Sequence, residues 1–400
     1  MCGGPLPLRL RAWDGSSAGP ADAPAVVLRS RRALRRLLWQ PDELGLAQAY
    51  VTGELDIEGD LADALRAVRR GLAATGAARP GAADLARALG TALRLGALGP
   101  RPRAPRSQAA LRGSVHSRAR DRAAISHHYD LSNEFYALLL DGTMAYSCGY
   151  WTDDRPGYGL AEAQQDKLEL ACRTLGLGPG AHLLDIGCGW GSLTLHAAEH
   201  HGAHVTAVTL AARQAAYVRA QVAERGLGDR VEVRLSDYRD ITDGPYDAVA
   251  TIEMGEHVGD DAYPDFAGLL HDRVRPGGRV LVQQMSRGRN APGGGAFIES
   301  FIAPDMHMRP LGETVTLLEG AGLEVTGVEA LRTHYVRTIE AWHRTLEERW
   351  PEFTAMAGVE TARVWRLYLV GSALAFEQNR MGVDQIVARR PDGFRSTGMS

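Results

Sequence analysis

The chain has 400 residues, of which 45% are hydrophobic, and a formal net charge of −3. This length predicts two units rather than one core, and the composition is that of an ordinary globular protein. Its four cysteines are scattered and no His or Cys group has zinc spacing, so we expect no disulfide framework and no metal. No apolar run reaches the length of a membrane span, and we expect a reduced, cytoplasmic protein.

Residues 1–98 are predicted to form a small, mostly helical N-terminal domain. Leucines recur at helical spacing around 34–38 and around 61–68, and Asp60 is a candidate N-cap. The segment 49–57 is typical of a short extended piece around a glycine. This domain is expected to contact a lipid surface or a second copy of the chain.

Residues 99–113 begin with a run of alternating proline and arginine that cannot hold a helix, which predicts a linker. The charge is unevenly spread: residues 1–122 carry 20 arginines and no lysine against 11 acidic residues. An anionic surface such as membrane lipid would attract this part of the chain. A chain that is simply rich in alanine, glycine and arginine explains the bias equally well.

From about residue 160 the pattern alternates between helix and strand, which predicts a parallel sheet covered on both faces, an α/β doubly wound fold. A helix is predicted over 160–176. Two late helices, about 336–350 and 359–380, carry an aromatic stripe that is typical of core and is also suited to walling a channel for an apolar chain. The predicted strands are 181–186, 203–209, 230–235, 246–252 and 278–284.

The first of these strands ends in Asp185 and is followed by Gly187, Gly189 and Gly191. Glycines allow a sharp turn and a close approach of backbone to ligand. The pattern resembles motif I of class I methyltransferases, which bind S-adenosylmethionine, and Asp185 is placed to pair with the cationic ligand. Taken alone, such a turn serves equally well as a tight joint between a strand and a helix.

In an open α/β sheet, ligands bind beyond the carboxyl ends of the strands. Gln214 is the nearest side chain able to bond a ribose, because no acid follows the second strand. Asp237 is a candidate for the adenine amino group or a helix cap, and Tyr238 for the ring face or the core edge. The strand-end rule selects these residues: Gly187, Gly189, Gly191, Thr209, Leu210, Gln214, Asp237, Tyr238, Glu253, Glu256, His257, Gln283 and Gln284.

The segment 125–151 contains His127-His128-Tyr129-Asp130 and later Tyr146-Ser147-Cys148-Gly149-Tyr150-Trp151. Together with four other motifs, this segment makes the chain similar to the cyclopropane-fatty-acyl-phospholipid synthase family. The other motifs are the glycine turn, the Thr209–Gln214 pattern, Glu256-His257-Val258-Gly259 and His334-Tyr335. That family includes the mycolic-acid cyclopropane synthases and related fatty-acyl C-methyltransferases. The resemblance covers nearly the whole chain.

The resemblance implies a class I methyltransferase domain over 114–400, with C-terminal acyl-binding helices. It assigns Glu256, Tyr335, Gln283 and the backbone of Cys148 to the reaction chamber, where related enzymes hold a bicarbonate ion as base. The residues expected to bind S-adenosylmethionine are Tyr146, Ser147, Asp185, Gly187, Gly189, Gly191, Thr209, Leu210, Gln214, Asp237 and Tyr238.

Two positions depart from the family pattern. Gln283 stands where a histidine is usual; glutamine donates a hydrogen bond but carries no charge, so an anion would be held less strongly. Ser372 stands where many relatives have a cysteine, so no nucleophilic cysteine is available there, and the reaction needs none.

The implied reaction is attack of a cis alkene of an unsaturated phospholipid acyl chain on the sulfonium methyl, followed by loss of a proton that closes a cyclopropane. A methylene branch, which a partner reductase would saturate, is the alternative product. Glu256 is the candidate base, and Glu256→Gln is expected to abolish turnover with cofactor binding nearly intact. We also expect association with the inner face of the membrane, a homodimer and no nucleic-acid partner. A small-molecule methyltransferase and a non-catalytic binding module remain open alternatives.

Overall fold

The computed structural model describes residues 8–75, 81, 90–109, 117–118, 120–121, 131–288 and 293–392. The predicted His127–Asp130 motif and residues 110–113 of the predicted linker lie outside the described residues. Residues 99–109 contain neither helix nor strand.

The chain divides into two compact units. One unit comprises residues 1–110, 295–302 and 346–374, and the other comprises 111–294, 303–345 and 375–400. The first unit therefore takes in most of the last long helix, which the sequence analysis placed with the methyltransferase domain.

The first unit contains a sheet that the sequence analysis missed. Its strands are β1 (Arg9–Ala12), β2 (Ser17–Ala18), β3 (Ala25–Leu28) and β4 (Leu55–Glu58), in the order β2-β1-β3-β4. Strands of two to four residues are too short to show a clear alternating pattern, which is why periodicity found only the helices. The extended piece predicted over 49–57 is the end of a helix followed by β4.

The N-terminal part of the first unit includes the helices α1 (Arg31–Trp39), α2 (Glu43–Val51) and α3 (Leu61–Thr75), with the predicted cap confirmed by a bond from the Asp63 N–H to Asp60. Two of its arginines, Arg36 and Arg363, are buried. The guanidinium of Arg36 is 2% exposed and forms a two-bond ion pair with Glu54. Arg363 lies over the ring of Tyr50 and donates to its carbonyl oxygen.

The second unit is built on a seven-stranded sheet with the order β10-β11-β9-β8-β5-β6-β7. The pairs among β5 to β9 are parallel, and those of β11 with β9 and β10 are antiparallel. The α/β doubly wound fold is thus confirmed. The strands are β5 (His182–Ile186), β6 (His204–Thr209), β7 (Val231–Leu235), β8 (Tyr246–Ile252), β9 (Val274–Arg287), β10 (Glu324–Ala330) and β11 (Met381–Arg389).

The chain leaves β5 toward β6 on one side and later returns to β8 on the other. This reversal beside β5 is the point at which doubly wound sheets bind ligands. The remaining helices are α4 (Asn133–Leu139), α5 (Leu160–Leu175), α6 (Ser192–His200), α7 (Ala212–Glu224), α8 (Tyr263–Arg273), α9 (Ala296–Phe301), α10 (Leu311–Gly320), α11 (Arg332–Glu348) and α12 (Trp350–Glu377).

Apolar clusters cover the two faces of this sheet. Leu183 and Ala250 face a cluster with α5, α6 and α7, whereas Leu184 and Val249 face a cluster with α8 and α10. Alternate strand residues point to opposite faces, so both sides of the central strands are buried. Of the helices that the structure describes, none is long and apolar enough to cross a membrane.

Candidate active site

A pocket lies at the carboxyl ends of β5, β6, β7 and β8, within the second unit. Among its lining residues are nine of the predicted cofactor-binding positions, and also Glu253 and His257. These nine residues are Tyr146, Ser147, Asp185, Gly187, Gly189, Thr209, Leu210, Gln214 and Tyr238.

The glycine turn shapes the floor of the pocket. Gly187, Gly189 and Gly191 all have positive φ values, between 54° and 81°, a backbone region that favours glycine. A Cβ on Gly189 would meet nothing within 4 Å and would project into free space. One on Gly191 would come within 3.0 Å of Val218, so Gly191 serves helix packing and does not line the pocket.

Asp185 lies beneath this turn and is 3% exposed. Its carboxylate accepts a hydrogen bond of 2.7 Å from Thr194. Burial raises its pKa to about 6, while Thr194 and the Lys167 ammonium act in the opposite direction. A cation bound in the pocket would favour the ionised carboxylate.

Two buried side chains of α5 hold the segment that carries Tyr146 and Ser147. Gln164 donates to the carbonyl oxygens of Ala145 and Ser147, and the ammonium of Lys167 donates to the Ser147 hydroxyl over 2.8 Å. The sequence analysis missed both residues. Their signal is polar residues three apart on a helical stripe that is otherwise apolar.

The end of β6 offers an unused donor. The Thr209 hydroxyl donates to the amide oxygen of Gln214, and the amide nitrogen of Gln214 is buried with no hydrogen-bond partner among the described residues. A buried donor without a partner is costly. An oxygen-rich ligand such as a ribose would satisfy it, which agrees with the predicted role of Gln214.

Asp237 is not brought to the pocket, contrary to the sequence analysis. Both carboxylate oxygens accept hydrogen bonds from the Arg239 guanidinium, and one also caps the turn at Tyr238–Asp240. The more ordinary interpretation of this residue, a helix cap, therefore describes it. Tyr238 and Arg239 line the pocket in its place.

One carboxylate that lines the pocket belongs to Glu253, which directly follows β8 and has a positive φ of 53°. Its Oε1 accepts from the Cys148 N–H at 2.8 Å and from the Gln283 amide at 3.0 Å, and its Oε2 accepts from the Tyr335 hydroxyl at 2.6 Å. Gln385 in turn donates to Gln283. Burial raises the pKa of Glu253, and the three hydrogen bonds partly offset that rise.

Tyr335, Gln283 and Cys148 stand behind Glu253 and do not line the pocket themselves. These are the groups that were expected to hold a bicarbonate ion, and here all three donate to a side-chain carboxylate. Cys148 contributes through its backbone, as expected; burial raises the pKa of its thiol well above the usual range.

Glu256 is not among the residues that line the pocket, so its predicted role in the reaction chamber stays a prediction. It lies in the single turn Gly255–His257, is 0% exposed, does not line the pocket, and has no side-chain hydrogen-bond partner of good geometry among the described residues. Burial and the nearby Glu253 raise its pKa to about 8.

Within the second unit, a chain of aromatic rings runs from Tyr146, which lines the pocket, to Tyr335, which donates to Glu253. Tyr146 contacts Trp342 at 5.3 Å between centroids, Trp342 contacts Tyr335 at 6.1 Å, and Tyr335 contacts Phe376 at 4.7 Å. Trp342 and Phe376 belong to the predicted aromatic stripe. Its other members, Trp350, Trp365 and Tyr368, belong to the first unit.

Comparison with known proteins identifies relatives along almost the whole chain. The family described as mycolic acid cyclopropane synthetase matches residues 116–386. A probable fatty acid methyltransferase of Mycobacterium tuberculosis is 37% identical and covers 97% of this chain and 92% of its own length. A probable fatty acid methyltransferase of Pseudomonas putida is 36% identical over 96% of this chain and 92% of its own.

Solved structures show a resemblance to the same family. A mycolic acid cyclopropane synthase in complex with SAH and CTAB is 31% identical and superposes with a TM-score of 0.63. The match covers 67% of this chain and 98% of that one. SAH is the demethylated product of S-adenosylmethionine, so the neighbour carries the spent methyl donor.

Proposed function

The chain belongs to the mycolic acid cyclopropane synthetase family of S-adenosylmethionine-dependent methyltransferases, and from that premise we propose its reaction and substrate. S-adenosylmethionine is the co-substrate, and the modified group is a fatty acyl chain. The proposed substrate is a cis double bond in an unsaturated acyl chain of a phospholipid. The observation that carries this proposal is the Glu253 carboxylate, fixed by three donors at the pocket edge.

The residues of the pocket fit the methyl donor. Gln214 presents a buried amide nitrogen that has no partner among the residues the structure describes. Gly189 leaves space that any side chain would fill, and the Asp185 carboxylate also lines the pocket. When bound, S-adenosylmethionine supplies a methyl carbon made electrophilic by the sulfonium. Holding an alkene against that carbon supplies the proximity that the reaction needs.

The π electrons of the acyl double bond form the new bond to the methyl carbon as the sulfur–carbon bond breaks. The neighbouring chain carbon is left cationic. The ring of Tyr146, which lines the pocket and packs against Trp342, offers it a π face and excludes water, both of which stabilise a cation in a dry site.

Glu253 then takes a proton from the transferred methyl group, in place of the bicarbonate of related enzymes. Its raised pKa makes it a stronger base than an exposed glutamate. Tyr335, Gln283 and the Cys148 N–H orient the carboxylate and favour its ionised form. The Gln283 substitution fits this role, because a neutral amide serves a carboxylate already present in the chain.

We propose a methylene branch as the product. Deprotonation of the methyl group after a hydride shift gives the branch, whereas deprotonation without the shift closes a cyclopropane. The two relatives described above, which match this chain nearly end to end, are named fatty acid methyltransferases, which supports the branch. A cyclopropane, the first expectation from the sequence, is the other outcome. A separate reductase would convert the branch to a saturated methyl group.

We further propose that the first unit docks on anionic lipid. Leu38, Trp39, Leu93 and Leu98 are between 39% and 60% exposed. Arg35 donates to the carbonyl oxygens of Ala97 and Leu98, so the end of α1 and the 93–98 segment lie together. An apolar patch beside arginines in a part of the chain with a net charge of +9 is suited to a negatively charged membrane surface.

The experiment is direct. The purified chain is incubated with S-adenosylmethionine and vesicles of a monounsaturated phospholipid, and the released fatty acids are analysed by mass spectrometry. We expect a gain of one CH2 unit, with vinylic methylene protons in the NMR spectrum. Upfield ring protons would assign the cyclopropane product instead. Unmodified acyl chains, under conditions in which the chain binds S-adenosylmethionine, would refute the substrate assignment.

A further inference from the structure

A second cluster of reactive side chains lies outside the pocket, between α5 and the end of α6. One ligand atom each from Cys172, His196 and His201 lies within 4.8 Å of the others. Glu169, one turn before Cys172 on α5, contacts both imidazoles. We propose that these four residues form a binding site for a divalent transition metal ion of the zinc type. None of the four lines the pocket.

The spacing of the donor atoms suits tetrahedral coordination. Ligands held about 2.0–2.3 Å from a tetrahedral zinc ion lie roughly 3.4–3.6 Å from one another. The Glu169 Oε2 atom is 3.0 Å from Nε2 of His201 and 3.5 Å from Nε2 of His196. The thiol and the two imidazoles already lie within 4.8 Å of one another, whereas Glu169 contacts the imidazoles alone and its side chain must move to share an ion with Cys172.

The chemistry of the donors selects the metal. A thiol, two imidazoles and one carboxylate suit zinc and its neighbours, whereas magnesium and calcium require a shell of oxygen atoms. Cys172 gives up its proton to solvent as the ion binds, because the thiolate is the ligand.

The site has a buried side and an open side. Cys172 is 0% exposed and the side chain of His196 is 5% exposed, whereas the side chains of His201 and Glu169 are 15% and 41% exposed. An ion can therefore enter from the surface past Glu169 and reach the buried thiol. Four protein ligands leave no open position, which is typical of a structural rather than a catalytic zinc site.

Gln165 supplies the outer support that such sites use. Its amide group lies 3.4 Å from Nδ1 of His196, on the side of the ring away from Glu169. Metal-bound histidines donate their second ring N–H to an oxygen. Rotation of the Gln165 amide by half a turn would present its oxygen to that proton.

A bound ion would tie two helices that frame the pocket. Cys172 and Glu169 lie on α5, which also carries the Lys167 and Gln164 side chains that hold Ser147. His196 lies on α6, which begins at the glycine turn, and His201 directly follows that helix. We therefore expect the ion to stabilise this frame against unfolding without taking part in the reaction.

We expected no metal because no CxxC pair or His cluster of zinc spacing was recognised in the sequence. The ligands come instead from Glu169-x-x-Cys172 on one helix and His196-x4-His201 on the next. Only the packing of α5 against α6 brings the two pairs together.

The test uses the full chain, stripped with a chelator and titrated with zinc and, separately, with cobalt(II). We expect one zinc per chain, a rise in Tm with zinc that a chelator reverses, and a cobalt spectrum with tetrahedral d–d bands and a thiolate charge-transfer band. The readouts are metal content, Tm and absorption, and none depends on activity.

Cys172→Ser should remove the charge-transfer band, and His201→Ala should weaken zinc binding at least tenfold. His201→Ala changes a partly exposed residue, so it remains informative if the buried Cys172→Ser variant fails to fold. His200→Ala is the matched control, because His200 contacts the ring of His196 but is not one of the four ligands. It should bind zinc like the unchanged chain. Absence of stoichiometric zinc, or equal binding by His200→Ala and His201→Ala, would overturn the proposal.

Discussion

The hydroxyl of Tyr335 donates a 2.6 Å hydrogen bond to Oε2 of Glu253, while Oε1 of the same carboxylate accepts from Cys148 and Gln283. The carboxylate is thereby held in one orientation at the pocket edge. Every donor in this arrangement favours the charged form, which is the form that a base requires. The proposed mechanism depends on this arrangement.

Glu253→Gln should lower turnover by about 10²–10⁴-fold, the range associated with loss of a positioned general base. The amide keeps the size of the side chain but cannot accept the proton. Binding of S-adenosylmethionine, measured by calorimetry, should change little. Turnover close to that of the unchanged chain would exclude Glu253 as the base.

Glu256→Gln is the matched control, because Glu256 is buried nearby but lies outside the pocket lining. It should retain most of the activity, in contrast to the expectation from the sequence. If it abolished turnover while Glu253→Gln did not, the original assignment would be restored.

The same variant makes a stability prediction. The pKa of Glu256 is raised from 4.5 to about 8 in the folded chain, so the folded state holds this proton more tightly than the unfolded state does. The stability that this proton provides is fully present below the unfolded pKa and is lost as the pH rises through about 8. Glu256→Gln is neutral at every pH. Its Tm should therefore fall less than that of the unchanged chain between acidic and alkaline pH; parallel curves would contradict the assignment.

Tyr335→Phe tests positioning by pH. The hydrogen bond from Tyr335 lowers the pKa of Glu253, so its removal should raise that pKa further. The acidic limb of the kcat/KM profile, which rises with pH as Glu253 ionises, should move to higher pH. A uniform loss of rate with an unmoved limb would mean that Tyr335 acts only structurally.

Gly189→Ala should fill the pocket. Its methyl group would project into open space at a φ of +54°, and we expect the Kd for S-adenosylmethionine to rise at least about tenfold, or about 1.4 kcal/mol. Gly226→Ala is the control, since Gly226 has a φ of +67°, equally open space and a place outside the pocket lining. Both variants should lose about 1–2 kcal/mol of stability to backbone strain, and only the first should lose affinity.

Trp39→Ser should weaken sedimentation with anionic phospholipid vesicles, and added salt should weaken it further because the arginine contribution is screened. Trp39 is 55% exposed in the first unit, and Val328→Ser provides a control at a 45% exposed apolar residue of the second unit. Equal loss in both variants, or no binding by the unchanged chain, would argue against the proposed lipid surface.

Much of the second unit was predictable because its strands are buried apolar runs followed by glycine or polar residues. The predicted strands at 203–209 and 246–252 differ from β6 and β8 by one residue at most. Strands β10 and β11 were missed. Residues along β10 alternate between half-buried and exposed, and β11 follows a long helix without a glycine turn of the usual kind.

The strand-end rule selected Glu253 and Glu256 equally, and the family resemblance then favoured Glu256. Position in the chain could not separate them, because the choice depends on the turn at Gly255–His257, which buries the second carboxylate away from the pocket. Lys167 and Gln164 were missed for a similar reason. Their role depends on a contact with the segment near Ser147, about 20 residues away in the chain.

The decisive measurement follows deuterium from S-adenosylmethionine with a trideuterated methyl group. With monounsaturated phospholipid vesicles, we expect the modified acyl chain to retain two of the three deuterium atoms, because Glu253 removes the third. Glu253→Gln should give no such product. Retention of all three deuterium atoms, or the same labelled product from Glu253→Gln, would contradict the proposed mechanism.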